Sequence, residues 1–100
     1  MKTKRDVCLY QILNVTLKVS GLRKSVFNKK CRFHRIIRNL YFLVSNENTD
    51  ISLDLIGKPF KVKRDLVFKS IKSVSKDIDT NDIIKLIYDT IKKEVKNVRN

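Results

Sequence analysis

Two spacings in this chain have residue types that could do chemistry. Cys31 and His34, three residues apart, make half of a zinc-binding arrangement. A structural zinc needs four ligands, and no second Cys/His pair follows. Taken as nucleophile and base, the same two residues lack an orienting carboxylate in their region. No GxGxxG, P-loop or GxSxG pattern occurs. Asp77, Asp79 and Asp82 lack the spacing and terminal glutamate of a calcium loop, so helix capping is the better use for them. The expectation is a protein with no metal, no cofactor and no catalytic machinery, and therefore not an enzyme.

The second spacing is basic. Arg32, Arg35 and Arg38 recur every three residues, which on a helix makes a continuous cationic edge. Lys24, Asn28, Arg32, Arg35 and Asn39 fall on one side of the same helical stretch; Lys29, nearer its apolar stripe, and Lys30 add charge in the same window. Arginine and asparagine pair bidentately with guanine and adenine edges, and lysine neutralises phosphates. A solvated helix face normally mixes charge signs. Between Asp6 and Glu47 there is no carboxylate, whereas eight lysines and arginines lie in that interval. Lys58, Lys61, Lys63 and Arg64 form a second cluster of the same sign. The sequence-level interface is therefore Lys24, Asn28, Lys29, Lys30, Arg32, Arg35, Arg38 and Asn39, joined by Lys58, Lys61, Lys63 and Arg64.

The elements that must carry these residues are read from periodicity. Residues 7–20 hold both a strand alternation (Leu13, Val15, Leu17, Val19) and a helical face (Leu9, Ile12, Leu13, Leu17). Gly21, placed where a helix C-terminal glycine belongs, tips the reading to helix. In 22–44, Leu22, Val26, Phe33, Ile36, Ile37, Leu40 and Val44 share one face. A break near Asn28–Lys30, with Asn28 as N-cap, divides the stretch into helices at 22–27 and 29–44. SNENTD at 45–50 is a loop. Ile51, Leu53 and Leu55, then Phe60 and Val62, alternate around Gly57-Lys58-Pro59, which predicts a β-hairpin over 51–63. Asp65 is placed as the N-cap of a helix bearing Val67, Ile71 and Val74. KDIDTND at 76–82 ends that helix, and Asp79 or Thr80 caps a last one carrying Ile84, Ile87, Ile91, Val95 and Val98.

Helices followed by a basic hairpin resemble a winged-helix domain in element order and charge, over about two thirds of the chain and without a diagnostic motif. The resemblance implies that the hairpin lysines contact phosphates beside a recognition helix. Residues 65–98 are similar in outline to the opening helical pair of HU-type DNA-bending proteins. They lack that family's glycine-rich strands and proline-tipped arms, and read as a generic helical hairpin. The expected fold class is α+β and mainly helical: a winged-helix or helix-turn-helix-like core, one β-hairpin and a C-terminal helical pair. The expected organisation is a single domain over 1–100, with a basic tail at 1–6, the core and wing at 7–64, and the helical pair at 65–98.

Composition agrees with a polyanion partner. A net charge of +13 in a 100-residue chain opposes compaction, and such an excess is usually kept where nucleic acid or an anionic surface is near. Abundant Lys, Ile and Asn, with no alanine, indicate an AT-rich genome, viral or phage sources included. Two cysteines are too few for a secreted disulfide scaffold, and the longest purely apolar run, Leu40–Val44, is far short of a membrane span. The expected location is the cytoplasm, nucleus or host-cell interior. The leading functional expectation is a small DNA-binding, transcription-regulating protein, with RNA binding as a variant and residues 80–98 as a candidate homodimer surface. The alternative is a viral or phage-type factor that engages a partner protein through the helical faces of 65–98. Adsorption of the 22–44 helix to anionic membrane is a third, weaker expectation.

Overall fold

The computed structural model describes residues 8–23 and 31–99, with side chains through 98. The described residues form five α-helices and one 3-10 turn: α1 (Leu9–Ser20), α2 (Arg32–Asn48), α3 (Leu53–Gly57), the 3-10 turn (Lys58–Phe60), α4 (Arg64–Thr80) and α5 (Asp82–Arg99). Among the described residues there is no strand, so the α+β winged-helix expectation and its β-hairpin are overturned. The helix at 22–27 and the Asn28 cap fall largely on residues outside the described set.

The ambiguous 7–20 stretch is helical from Leu9, and local hydrogen bonds close both ends of α1. Cys8 N–H donates to the Gln11 Oε1 at 3.1 Å, and Gly21 takes the left-handed conformation (φ 75°) that ends the helix. Its N–H donates to the Leu17 carbonyl at 2.9 Å, and Leu22 N–H reaches the same carbonyl at 3.2 Å.

α2 is the axis of the molecule. The LYFLV run that is apolar on every side is buried on every side, from Asn39 through Ser45. α1, α2, α4 and α5 close a ring in which α2 packs on α1 and α4, and α5 packs on the same two helices. Ile12, Ile37, Leu40, Phe42, Val67, Val74 and Ile91 are fully buried in one cluster shared by these four helices. Tyr88 Oη, on α5, donates to the Glu47 carboxylate at 2.7 Å and ties α5 to the end of α2.

The region expected as a hairpin is a helical corner for three local reasons. Ser52 caps α3 by accepting from Leu55 N–H at 3.4 Å, with Asp54 favourable in the first turn. Pro59 is the second residue of the 3-10 turn, where its missing N–H costs nothing, instead of confining an edge strand. Gly57 lets the chain fold back on itself: a Cβ there would lie 2.3 Å from the Val62 carbonyl oxygen and 2.6 Å from Val67 Cγ2. Lys61 reverses the chain in the left-handed region (φ 57°). Phe60 then seats the corner against α2, its ring centroid 5.5 Å from Tyr41 and 5.9 Å from Phe42, both edge-on.

Three further boundaries move. α2 runs on to Asn48, four residues into the expected SNENTD loop. α4 begins after Lys63 with Asp65 inside its first turn, so Asp65 is not the cap. α4 also runs through residues 76–80, because Ile78 continues the apolar stripe of Val67, Ile71 and Val74 into the core. The break falls at Asn81, whose Oδ1 accepts from Ile83 N–H at 2.9 Å and Ile84 N–H at 3.2 Å. That single residue replaces Asp79 or Thr80 as the cap of α5.

Candidate nucleic-acid interface

Of the residues expected to bind, Lys24, Asn28, Lys29 and Lys30 lie outside the described residues. Arg32 and Arg35 stand exposed on the first turn of α2, and Arg38 is half-buried one turn later. Asn39 does not face solvent; it is only 6% exposed. Its burial has a simple cause. The side of α2 opposite its apolar stripe is not free, because α4 packs there.

That packing creates a groove between α2 and α4. Arg35, Arg38 and Asn39 line it from α2, and Leu66, Lys69, Ser70 and Ser73 from α4. No carboxylate is among these residues. Ser70, like Asn39, is only 6% exposed, so the groove has polar walls well inside the surface.

Arg38 is the distinctive group here. Its Nη2 donates to Asn39 Oδ1 at 3.3 Å, and its guanidinium carbon sits 5.4 Å from the centre of the Phe42 ring. Among the described residues, its buried Nε has no hydrogen-bond partner. Burial first, and the Arg35 charge second, lower its pKa from the ordinary value. A guanidinium nonetheless stays protonated in proteins. The groove thus sets a partly desolvated cation beside a second cation, with no carboxylate among its lining residues.

The former wing lysines occupy the helical corner. Lys58, Lys61, Lys63 and Arg64 line an open depression with Val62, and Asp54 and Asp65 share it. Their charge is therefore partly compensated, unlike that of the groove. α4 adds a row absent from the sequence-level set: Lys69, Lys72 and Lys76, all exposed, at helical steps of three and four. The Lys72 Nζ lies 4.9 Å over the Phe68 ring, which is itself 51% exposed. The signal for this row was the complementary apolar stripe at Val67, Ile71, Val74 and Ile78, which leaves the lysines on the opposite side.

Cys8 and Cys31 are free and exposed, and among the described residues no three of His, Cys, Asp and Glu gather as a metal site would require. His34 buries an Nδ1 that has no partner among the described residues. No described helix is long and apolar enough to cross a membrane. No protein-family model, curated protein or solved structure matches the chain.

Proposed function

We propose that this protein binds nucleic acid, duplex DNA foremost, through the face where the arginines of α2 meet α4. The observation that carries the reading is the carboxylate-free groove holding Arg35, Arg38 and Lys69, continued outward by Lys72 and Lys76. Neutralising backbone phosphates would release condensed counterions and relieve the mutual repulsion of these cations. With Asn39 buried, the residues left for base edges are few. The binding is therefore directed chiefly at the backbone, with shallow sequence preference. RNA offers the same phosphates, and charge alone does not favour either.

A shift of a labelled 20-base-pair duplex in 50 mM salt tests the reading directly. Wild-type protein should bind. Replacing exposed Arg32, Arg35, Lys69 and Lys72 by alanine should weaken binding on the order of tenfold to a hundredfold. Absence of association with duplex or single strand at low salt would overturn the reading.

A second reading, contact with a protein partner or a second copy, draws on the start of α5. Ile83 and Leu86 stand 70% and 66% exposed there, within the segment expected to dimerise. Sedimentation of wild type and the Ile83→Glu/Leu86→Glu variant tests it. A concentration-dependent dimer lost in the variant supports it, and a monomer at all concentrations argues against self-association.

A further inference from the structure

We propose that the α2–α4 groove is a seat for one backbone phosphate of the bound nucleic acid, anchored by Arg38. The inference rests on the nucleic-acid reading and narrows it from a charged face to a defined contact.

Three features separate this groove from the rest of the basic surface. The first is preorganisation. Arg38 is held by the Phe42 ring and by the Asn39 side chain, so little rotamer freedom remains to be lost when it binds. The second is unused donor capacity. Five N–H groups radiate from a guanidinium, one bond to Asn39 is made, and the buried Nε–H has no partner among the described residues. Leaving a buried charged donor unsatisfied is costly, which sets Arg38 apart from a side chain placed only for packing; a ligand would be met by the remaining Nη donors. The third is charge balance. Arg35 and Lys69 stand at the same groove with no carboxylate, whereas the Lys58–Arg64 corner carries Asp54 and Asp65.

A tetrahedral oxyanion matches this donor set. Two of its oxygens can take parallel bonds from a guanidinium, which lysine cannot reproduce. Arg35 and Lys69 would flank the remaining charge. The buried side chains of Asn39 and Ser70 supply a neutral polar wall that does not compete as a counterion. The corner and the Lys69–Lys72–Lys76 row then act as diffuse attraction, while the groove fixes where along α4 the backbone is held.

The test is an NMR titration of the full chain, observing the backbone amides of Asn39, Ser70 and Ser73. Inorganic phosphate is added first, with sodium chloride at matched ionic strength as control, and a 12-base-pair duplex follows. The expected result is saturable, shared movement of these resonances with phosphate, absent with chloride and reproduced by duplex. Arg38→Lys keeps the charge and should abolish saturation by phosphate, weaken duplex binding on the order of tenfold, and leave its salt slope unchanged. Lys69→Ala, exposed and outside the core, should weaken both ligands without altering the other resonances. Duplex binding that leaves the groove resonances still would overturn the phosphate seat while the nucleic-acid reading stands. Phosphate saturation that duplex does not reproduce would overturn it equally. Failure of both ligands to bind would overturn the seat and the reading together.

Discussion

Two glycines illustrate how differently one residue type is used in this protein. Gly21 is needed for its conformation: its φ is positive, and a Cβ would meet open space. Gly57 has an ordinary helical conformation and is needed for its size, because Val62 and Val67 close over it. Gly21→Ala should cost about 1 kcal/mol, the strain of a left-handed alanine. Gly57→Ala should cost more, about 2–3 kcal/mol, because backbone and not only side chain must move. Urea midpoints would rank them, and a Gly57→Ala variant as stable as Gly21→Ala would contradict the close packing of the corner.

The tyrosines make a pH prediction at the same scale. Burial pushes Tyr41 up to about 12 from its ordinary 10.0, and burial with the Glu47 hydrogen bond raises Tyr88 as well. The folded state therefore favours the neutral phenols. Their contribution is complete below about pH 10, the unfolded value; that of Tyr41 is lost as pH rises through about 12, and that of Tyr88 also declines above pH 10. Urea midpoints should fall steadily over that window, and Tyr88→Phe should reduce the fall. That Arg35 and Arg38 share a side of one helix was legible in the sequence, and both line the same groove. The place of Asn39 was not, because a helical wheel reports one helix's faces and not which neighbour covers them.

Among the elements, the helices with long apolar stripes were legible and the short corner was not. Leu53 and Leu55 alternate with polar residues as in a strand, yet Leu55 is 52% exposed and the fully buried residue is Ile56. Leu53, Ile56, Gly57 and Phe60 have helical spacing, and Ser52 with Asp54 is a helix start. Over five residues, two periods fit equally well, and the tertiary contact of Phe60 with Tyr41 and Phe42 decides between them. The acidic stretch after Lys76 misled in the opposite direction. Its carboxylates look like a loop, but Ile78 is where the stripe requires it and the helix continues. Asn81 then caps α5 with two hydrogen bonds, so Asn81→Ala should cost about 1 kcal/mol. Asn81→Ser should recover most of that loss in thermal melts, and an alanine variant with unchanged stability would show that packing alone sets this boundary.

At the scale of the whole molecule, charge is the dominant quantity. A net +13 sits on a body 39 × 27 × 26 Å across, so many like charges lie within one Debye length of each other at about 8 Å in physiological salt. Raising sodium chloride from 10 to 300 mM should therefore raise the melting temperature by screening self-repulsion. A flat or falling profile would mean that the repulsion is already balanced within the fold. This excess was plain in the sequence from the start. The meeting of Arg35, Arg38 and Lys69 between α2 and α4 was not, since it depends on how two helices about thirty residues apart come together.

The same charge gives the account its most direct test, the slope of log K against log salt for a duplex of about one and a half turns. Each phosphate neutralised contributes about 0.9 to that slope. The triple variant Arg35→Ala/Lys69→Ala/Lys72→Ala removes three exposed cations from the proposed face. Its slope should be shallower than wild type by about 2.7. A variant with the wild-type slope and affinity would contradict the assignment of this face to nucleic acid.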